Sequence, residues 1–69
     1  MSDHVYRLSE IVGSSTTSTD EAIRTAIAKA SQTVRNIDWF EVKELRGQVA
    51  DGGVAYFQVT LKIGFRVDD

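Results

Sequence analysis

The last third of the chain carries a two-residue alternation that commits it to a long β-strand. From residue 54 onward, large apolar residues occupy every second position. The apolar side holds Phe57, Val59, Leu61, Ile63, Phe65 and Val67. The opposite side holds Tyr56, Gln58, Thr60, Lys62, Gly64 and Arg66. Because successive side chains of a strand point to opposite faces of a sheet, this pattern predicts the central strand, with one strongly apolar face.

The remainder of the chain gives that strand few means of stabilisation. With 69 residues, 42% of them hydrophobic, the sequence predicts one small domain over residues 1–69, and such a domain buries only about 60% of the surface of its unfolded chain. There is no cysteine to form a disulfide and a single histidine, so neither a covalent staple nor a structural zinc site is available. Oligomerisation is the remaining means of stabilising so small a domain, and we expect it here.

Charge and hydropathy exclude two classes of partner. The net charge of −2 and the isoelectric point near 5.2 lack the basic excess that drives binding to phosphate backbones, which argues against nucleic acid. No apolar run approaches the ~20 residues that span a bilayer. Residues 1–4 show no basic-then-apolar signal pattern. We therefore expect a soluble cytoplasmic protein without a membrane partner.

One amphipathic helix is predicted over residues 20–35. Ser18 followed by Glu21 fits a capping box, after a hydroxyl-rich loop at residues 14–20. An apolar stripe follows at spacings of three and four, formed by Ala22, Ile23, Ala26, Ile27, Ala30 and Val34. A helix of this length extends roughly 24 Å, enough to cross a three-stranded sheet once.

Two further strands complete the predicted fold. Residues 5–12 form the first strand, closed by Gly13, with apolar residues on both faces; residues 38–49 form the second. The apolar phase of the second strand breaks after Val42, which predicts a bulge near Lys43 and Glu44, and residues 51–53 form the turn to the last strand. The prediction is an α+β fold: a β-α-β-β subunit with a three-stranded antiparallel sheet of order 1-3-2 and the helix on one face.

The face that the helix leaves uncovered is the candidate site. Trp39, the only tryptophan, is out of phase with Phe40 and Val42, so the indole shares the uncovered face with Gln58 if Phe40 and Val42 meet the helix. An indole stacks on flat ligands, and a carboxamide offers a donor and an acceptor to the edge of a heterocycle. Tryptophan is also enriched at protein interfaces. Spacing alone leaves both interpretations open.

Several segments together resemble the dodecin family of small flavin-binding proteins from archaea and bacteria. They are residues 10–13, the capped helix, residues 38–42, Arg46 with Gly47, residues 56–59 and residues 64–66. The similarity extends from Tyr6 to Asp68. It implies that β-α-β-β subunits assemble into a hollow homododecamer with tetrahedral symmetry.

The resemblance also implies ligands and residue roles. In the family, one tryptophan from each of two subunits encloses two stacked isoalloxazine rings, and Trp39 matches that residue. Gln58 matches a glutamine that bonds the polar edge of the ring, and Asp38 and Arg46 match residues that contact flavin mononucleotide (FMN), with Arg46 suited to its phosphate. Some members also carry coenzyme A, whose phosphates are expected to meet Arg7, Lys29, Arg35 and Arg66.

These implications favour a binding protein over an enzyme. The only histidine, His4, lies near the terminus, and we identify no catalytic residue and no metal site. The resemblance implies storage and photoprotection of FMN or a related flavin. A flavin-dependent oxidoreductase, and a structural oligomer in which Trp39 is interface core, are the alternatives.

Overall fold

A computed structural model describes residues 3–67, and it confirms the predicted α+β fold. The elements are β1 (Val5–Ser15), α1 (Thr19–Ala30), β2 (Ile37–Ala50) and β3 (Gly53–Val67). The three strands form one antiparallel sheet in the order β1-β3-β2. The longest strand is therefore central, as its alternation predicts.

A tight turn joins β2 to β3. Ala50 pairs with Gly53, so the loop contains only Asp51 and Gly52, whose φ angles are 53° and 78°. Two positive φ angles in a two-residue loop are the type I′ geometry, which Asp-Gly sequences favour because aspartate and glycine tolerate this region. The predicted turn is confirmed, although Gly53 already belongs to the strand.

The start of the helix is confirmed and its predicted end is wrong. The Glu21 amide donates to Ser18 Oγ over 3.0 Å, which is one half of the predicted capping box, while the Ser18 amide donates to Ser15 Oγ over 3.4 Å. The helix ends at Ala30, not at residue 35. Ser31, Gln32 and Thr33 are exposed, so extending the helix through them would bury no apolar surface, and hydroxyl side chains compete for backbone groups.

The helix packs on β1 at Gly13, which is a strand residue and not the predicted turn. A β-carbon at Gly13 would lie 2.7 Å from Ala26 Cβ and closer still to the Ala22 carbonyl oxygen. The missing side chain lets the helix backbone approach the sheet, and β1 continues to Ser15. The buried hydrophobic residues of the described chain are Ala22, Ala26, Val59, Leu61 and Ile63.

The helix covers β1 and β3 but does not reach β2. Phe40, Val42 and Leu45 pair with Ile63, Leu61 and Val59 and so lie on the helix side. Their exposed fractions are nevertheless 47%, 47% and 59%. The condition that Phe40 and Val42 meet the helix is therefore not fulfilled. The helix is too short to cross all three strands as predicted, because its 12 residues extend only about 18 Å.

Register shifts in the β2–β3 ladder settle which way β2 side chains point. The predicted bulge is confirmed, with Lys43 unpaired between Val42 and Glu44. It returns Leu45 to the phase of Val42, which explains the break in the apolar pattern. Two further irregularities were not predicted, one at Asp38 and one beside Val49.

Candidate functional site

The sheet face opposite the helix, here called the open face, carries both predicted ring-binding residues. Trp39 pairs with Gly64, and Arg46 pairs with Gln58. Paired residues of an antiparallel ladder project to the same face, and these β3 positions alternate with the buried Leu61 and Ile63 that meet the helix side. The open face also resolves the ambiguity in β1, since Leu8 pairs with Gly64 on this side.

The indole of Trp39 rests over the backbone of β3. Its Cε2, Cζ2 and Nε1 atoms lie where a side chain of Gly64 would stand, and a β-carbon there would be 2.7 Å from Nε1. Gly64 is buried, yet Trp39 remains 41% exposed. One part of the indole is therefore supported by the sheet while the rest is available to a ligand.

The backbone at the start of β2 is held in place by the conformation of Asn36 and by a hydrogen bond to β3. Asn36 has a φ of 64°, a left-handed conformation that asparagine tolerates better than most residues. Its carbonyl accepts a hydrogen bond of 3.0 Å from the Arg66 amide. Asp38 then forms the bulge directly before Trp39 and is exposed. These features fix the start of β2 to the end of β3 and thereby locate the indole.

Gln58 lies at the other end of the open face. It is half-buried and lines a concavity of about 350 Å³ with Ser14, Ser15, Thr16 and Tyr56. This lining offers amide and hydroxyl groups, which are donors and acceptors for a polar ligand.

Arg46 lies beside Gln58 in the ladder and keeps most of its surface exposed. Its Nη1 is 3.5 Å from Glu44 Oε1, and the two side chains are 65% and 58% exposed. Such exposed ion pairs contribute little free energy. The guanidinium can therefore exchange this partner for a phosphate, to which it can donate two parallel hydrogen bonds.

The two ends of the open face are too far apart to bind one ring within a single chain. Gly64, beneath the indole, and Gln58 are six positions apart on β3, which corresponds to roughly 20 Å at 3.3 Å per residue. A charged region separates them, in which Lys43 Nζ lies 3.1 Å from Glu10 Oε2. The sequence pattern predicted the shared face, but this separation emerges only from the register.

Three of the four predicted phosphate contacts lie together. Arg7, Arg35 and Arg66 line a concavity of about 430 Å³, with Asn36 and Phe65 among its other residues. Lys29 lines a different concavity, formed with residues of β1 and the end of the helix. The structure thus brings the arginines together and leaves Lys29 outside their group.

Known proteins with this sequence pattern and fold identify the family. The family model described as Dodecin matches residues 5–68. The chain belongs to the dodecin family. It is 46% identical over 65 residues to the dodecin of Thermus thermophilus, covering 94% of each chain.

Two solved dodecins have the same fold as this chain. The Streptomyces coelicolor dodecin is 54% identical, with a TM-score of 0.93 and coverage of 100% of this chain and 99% of that one. The Streptomyces davaonensis dodecin is 56% identical, with a TM-score of 0.93 and coverage of 99% and 100%. The dodecin fold therefore accounts for every described element of the chain.

Residues 3–67 form neither a metal-binding cluster nor a membrane-spanning helix. No group of three or more histidine, cysteine, aspartate or glutamate side chains is placed to hold a metal ion in this part of the dodecin chain. None of its helices has the length and apolarity to cross a membrane.

Sequence reasoning missed the roles that three residues have in the site. Gly64 was assigned to the polar face and to a segment that resembles dodecins but not to the support of the indole, and the Glu10–Lys43 pair was not predicted. A glycine inside an otherwise regular strand is the signal that could have drawn attention to Gly64, since it often marks a close approach by another group.

Proposed function

We propose that this dodecin binds FMN or a closely related flavin as stacked pairs, each pair held between the Trp39 side chains of two subunits, and that it stores and photoprotects the cofactor. The observation that carries the proposal is the half-exposed indole supported by Gly64 on the open face. A large aromatic surface left in water is unfavourable, and covering it with another flat ring contributes both buried area and stacking.

The separation of Trp39 from Gln58 supports a site shared between chains. Because the two residues of one chain are roughly 20 Å apart, a ring stacked on one indole can meet only the Gln58 of another subunit. Asp38 lies next to the indole in the chain, and Arg46 lies next to Gln58. In this arrangement Gln58 bonds the polar edge of the ring, while Asp38 and Arg46 contact the remainder of FMN, with Arg46 binding its phosphate.

The elongated subunit supports assembly. The radius of gyration is 14.4 Å, whereas a compact chain of this length has about 11 Å. The uncovered apolar residues Phe40, Val42 and Leu45 remain for contacts between subunits. The proposed assembly is the homododecamer of tetrahedral symmetry, in which two-fold axes bring pairs of Trp39 residues together.

Storage fits this geometry better than turnover does. A flavin enzyme needs space beside the reactive ring for its substrate, whereas two rings enclosed between two indoles have both outer faces occupied. The indole is also an electron donor close to the photoexcited flavin. Rapid return of that electron would discharge the absorbed energy, which is the proposed photoprotection.

The arginine-lined concavity is the proposed site for a second ligand, coenzyme A. Its phosphates carry several negative charges, and the guanidinium groups of Arg7, Arg35 and Arg66 suit them. Lys29 lines a separate concavity, so its proposed contact is with a different part of the ligand or with a second molecule.

Trp39→Ala tests the flavin proposal. Stacking on one aromatic ring is worth ~1 to 3 kcal/mol, so we expect the affinity for FMN, measured by titration calorimetry, to fall by about 5- to 150-fold. Val12→Ala is the control, because Val12 is an exposed apolar residue of the same face with no proposed ligand contact. The control should bind FMN like the unmodified protein.

Two results would count against the proposal. The first is Trp39→Ala with unchanged affinity for FMN, which would remove the indole from the flavin site; a smaller assembly in the same variant would make it an interface residue. The second is steady oxidation of reduced nicotinamide by the FMN-loaded protein at many turnovers per flavin, which would replace storage with oxidoreductase activity.

A further inference from the structure

Gly64 is the one residue of the open face of β3 that the indole requires to be small. Its neighbours along that face, Lys62 and Arg66, carry long side chains, and β1 and β2 flank it with Leu8 and Trp39. The space above its α-carbon is filled by the indole of Trp39.

Backbone conformation gives no reason for a glycine at this position. Of the described glycines, Gly52 has a positive φ and Gly64 does not. An alanine could therefore adopt the backbone of Gly64 without strain. What excludes it is space, because its β-carbon would lie 2.7 Å from Nε1 of Trp39 and nearer to Cε2 and Cζ2.

We propose that Gly64 is a positioning residue for flavin binding, an inference that rests on the proposed function. By lacking a side chain, it fixes the height of the Trp39 indole above the sheet. An added methyl group would push the indole outward by about 1 Å to restore an ordinary carbon separation of about 3.5 Å. In the proposed site two indoles face each other across the flavin pair. Both would move toward the flavin pair, so the space that holds the two flavin rings would narrow by twice this displacement.

Gly64→Ala is tested in a double-mutant cycle with Trp39→Ala. We expect Gly64→Ala alone to weaken FMN binding by about 5- to 150-fold, the range that corresponds to loss of stacking. In the Trp39→Ala background the same change should have no further effect. Gly53→Ala is the matched control, because a β-carbon there has only the Ala50 carbonyl oxygen nearby, at 3.9 Å. Unchanged affinity in Gly64→Ala, or an equal loss with and without the indole, would overturn the proposal.

Fluorescence of the single tryptophan gives a second readout that needs no ligand. We expect Gly64→Ala to shift the emission to longer wavelength and to increase quenching by iodide, since the indole is pushed toward solvent. An unshifted emission would overturn the positioning role whatever the flavin does. Unmodified protein that bound no FMN would instead refute the proposed function, and with it the flavin part of this role.

Whether the variants fold also distinguishes a conflict with the indole from a requirement of the strand itself. If Gly64→Ala fails to fold but the double variant with Trp39→Ala folds, the conflict with the indole is demonstrated directly. If both fail, the strand itself requires the glycine and the positioning role is wrong.

Discussion

Single residues decide what the open face offers to a ligand. Trp39 is exposed because it lies on the face of the sheet opposite the helix, and it is held in place because Gly64 leaves room beneath it. Gln58 and Arg46 lie at the far end of the same face. The pairing of β2 with β3 thus determines where each residue lies on the open face, and its side chain determines which group of a ligand it can bind.

Gln58→Ala should affect ring discrimination more than overall affinity. A hydrogen bond to a neutral partner contributes about 0.5 to 1.5 kcal/mol, so we expect a smaller loss than for Trp39→Ala. The measurement is the ratio of the dissociation constant of an analogue methylated at ring nitrogen N3, which cannot donate from that edge, to the dissociation constant of FMN. The ratio should shrink toward one in Gln58→Ala; an unaltered ratio would remove Gln58 from the ring edge.

Arg35→Gln should weaken coenzyme A binding without changing flavin binding. Arg35 lines the concavity shared with Arg7 and Arg66, and a lost charge-assisted bond to phosphate costs about 1.5 to 3 kcal/mol. Calorimetric titration with coenzyme A is the measurement, and Arg24→Gln, which removes an exposed cation of the helix that lines neither this concavity nor that of Lys29, is the control. Equal effects of the two variants would show that general charge, not this concavity, attracts the ligand.

At the scale of elements, the close contact of α1 with β1 depends on Gly13. We expect Gly13→Ala to lower the free energy of unfolding by about 1 to 3 kcal/mol, the usual cost of overpacking, because the added carbon meets Ala26 Cβ at 2.7 Å and the helix backbone. Urea denaturation measures it, with Gly53→Ala as the tolerated counterpart. A loss no larger than that of Gly53→Ala would mean that the helix can move away freely.

The sequence predicted the elements whose signals are local and regular. The alternation after residue 54 predicted the central strand, Ser18 with Glu21 predicted the helix start, and the phase break predicted the bulge at Lys43. The helix end was missed because Val34 continues the apolar spacing although exposed polar residues precede it. The bulge at Asp38 lies at the beginning of β2. Too few strand residues precede it to establish an alternation that the bulge could interrupt, so the sequence does not show it.

The candidate site was only partly predictable for the same reason. Alternation placed Trp39 and Gln58 on one face, but their separation depends on the register between strands, which the turn and bulges set. The grouping of Arg7, Arg35 and Arg66 joins three distant parts of the chain. Local sequence patterns do not show that these arginines lie together. They also do not show that the indole of Trp39 fills the space above Gly64.

At the scale of the whole molecule, the isolated chain is elongated, with principal extents of 55, 20 and 15 Å. It exposes apolar residues on both faces, among them Leu8 and Val12 on the open face and Leu45 on the other. A subunit of this shape buries little of its apolar surface alone. Assembly would cover that surface, and in our proposal it also completes each flavin site with residues of a neighbouring chain.

Titration of the unmodified protein with FMN, followed by flavin fluorescence, tests the central claim most directly. Stacking of the ring against Trp39 opens a rapid route for electron transfer, so we predict that the fluorescence of bound FMN is extinguished and that binding saturates at about one flavin per chain, as paired rings between paired indoles require. FMN that stays fully fluorescent at saturating protein would contradict the account.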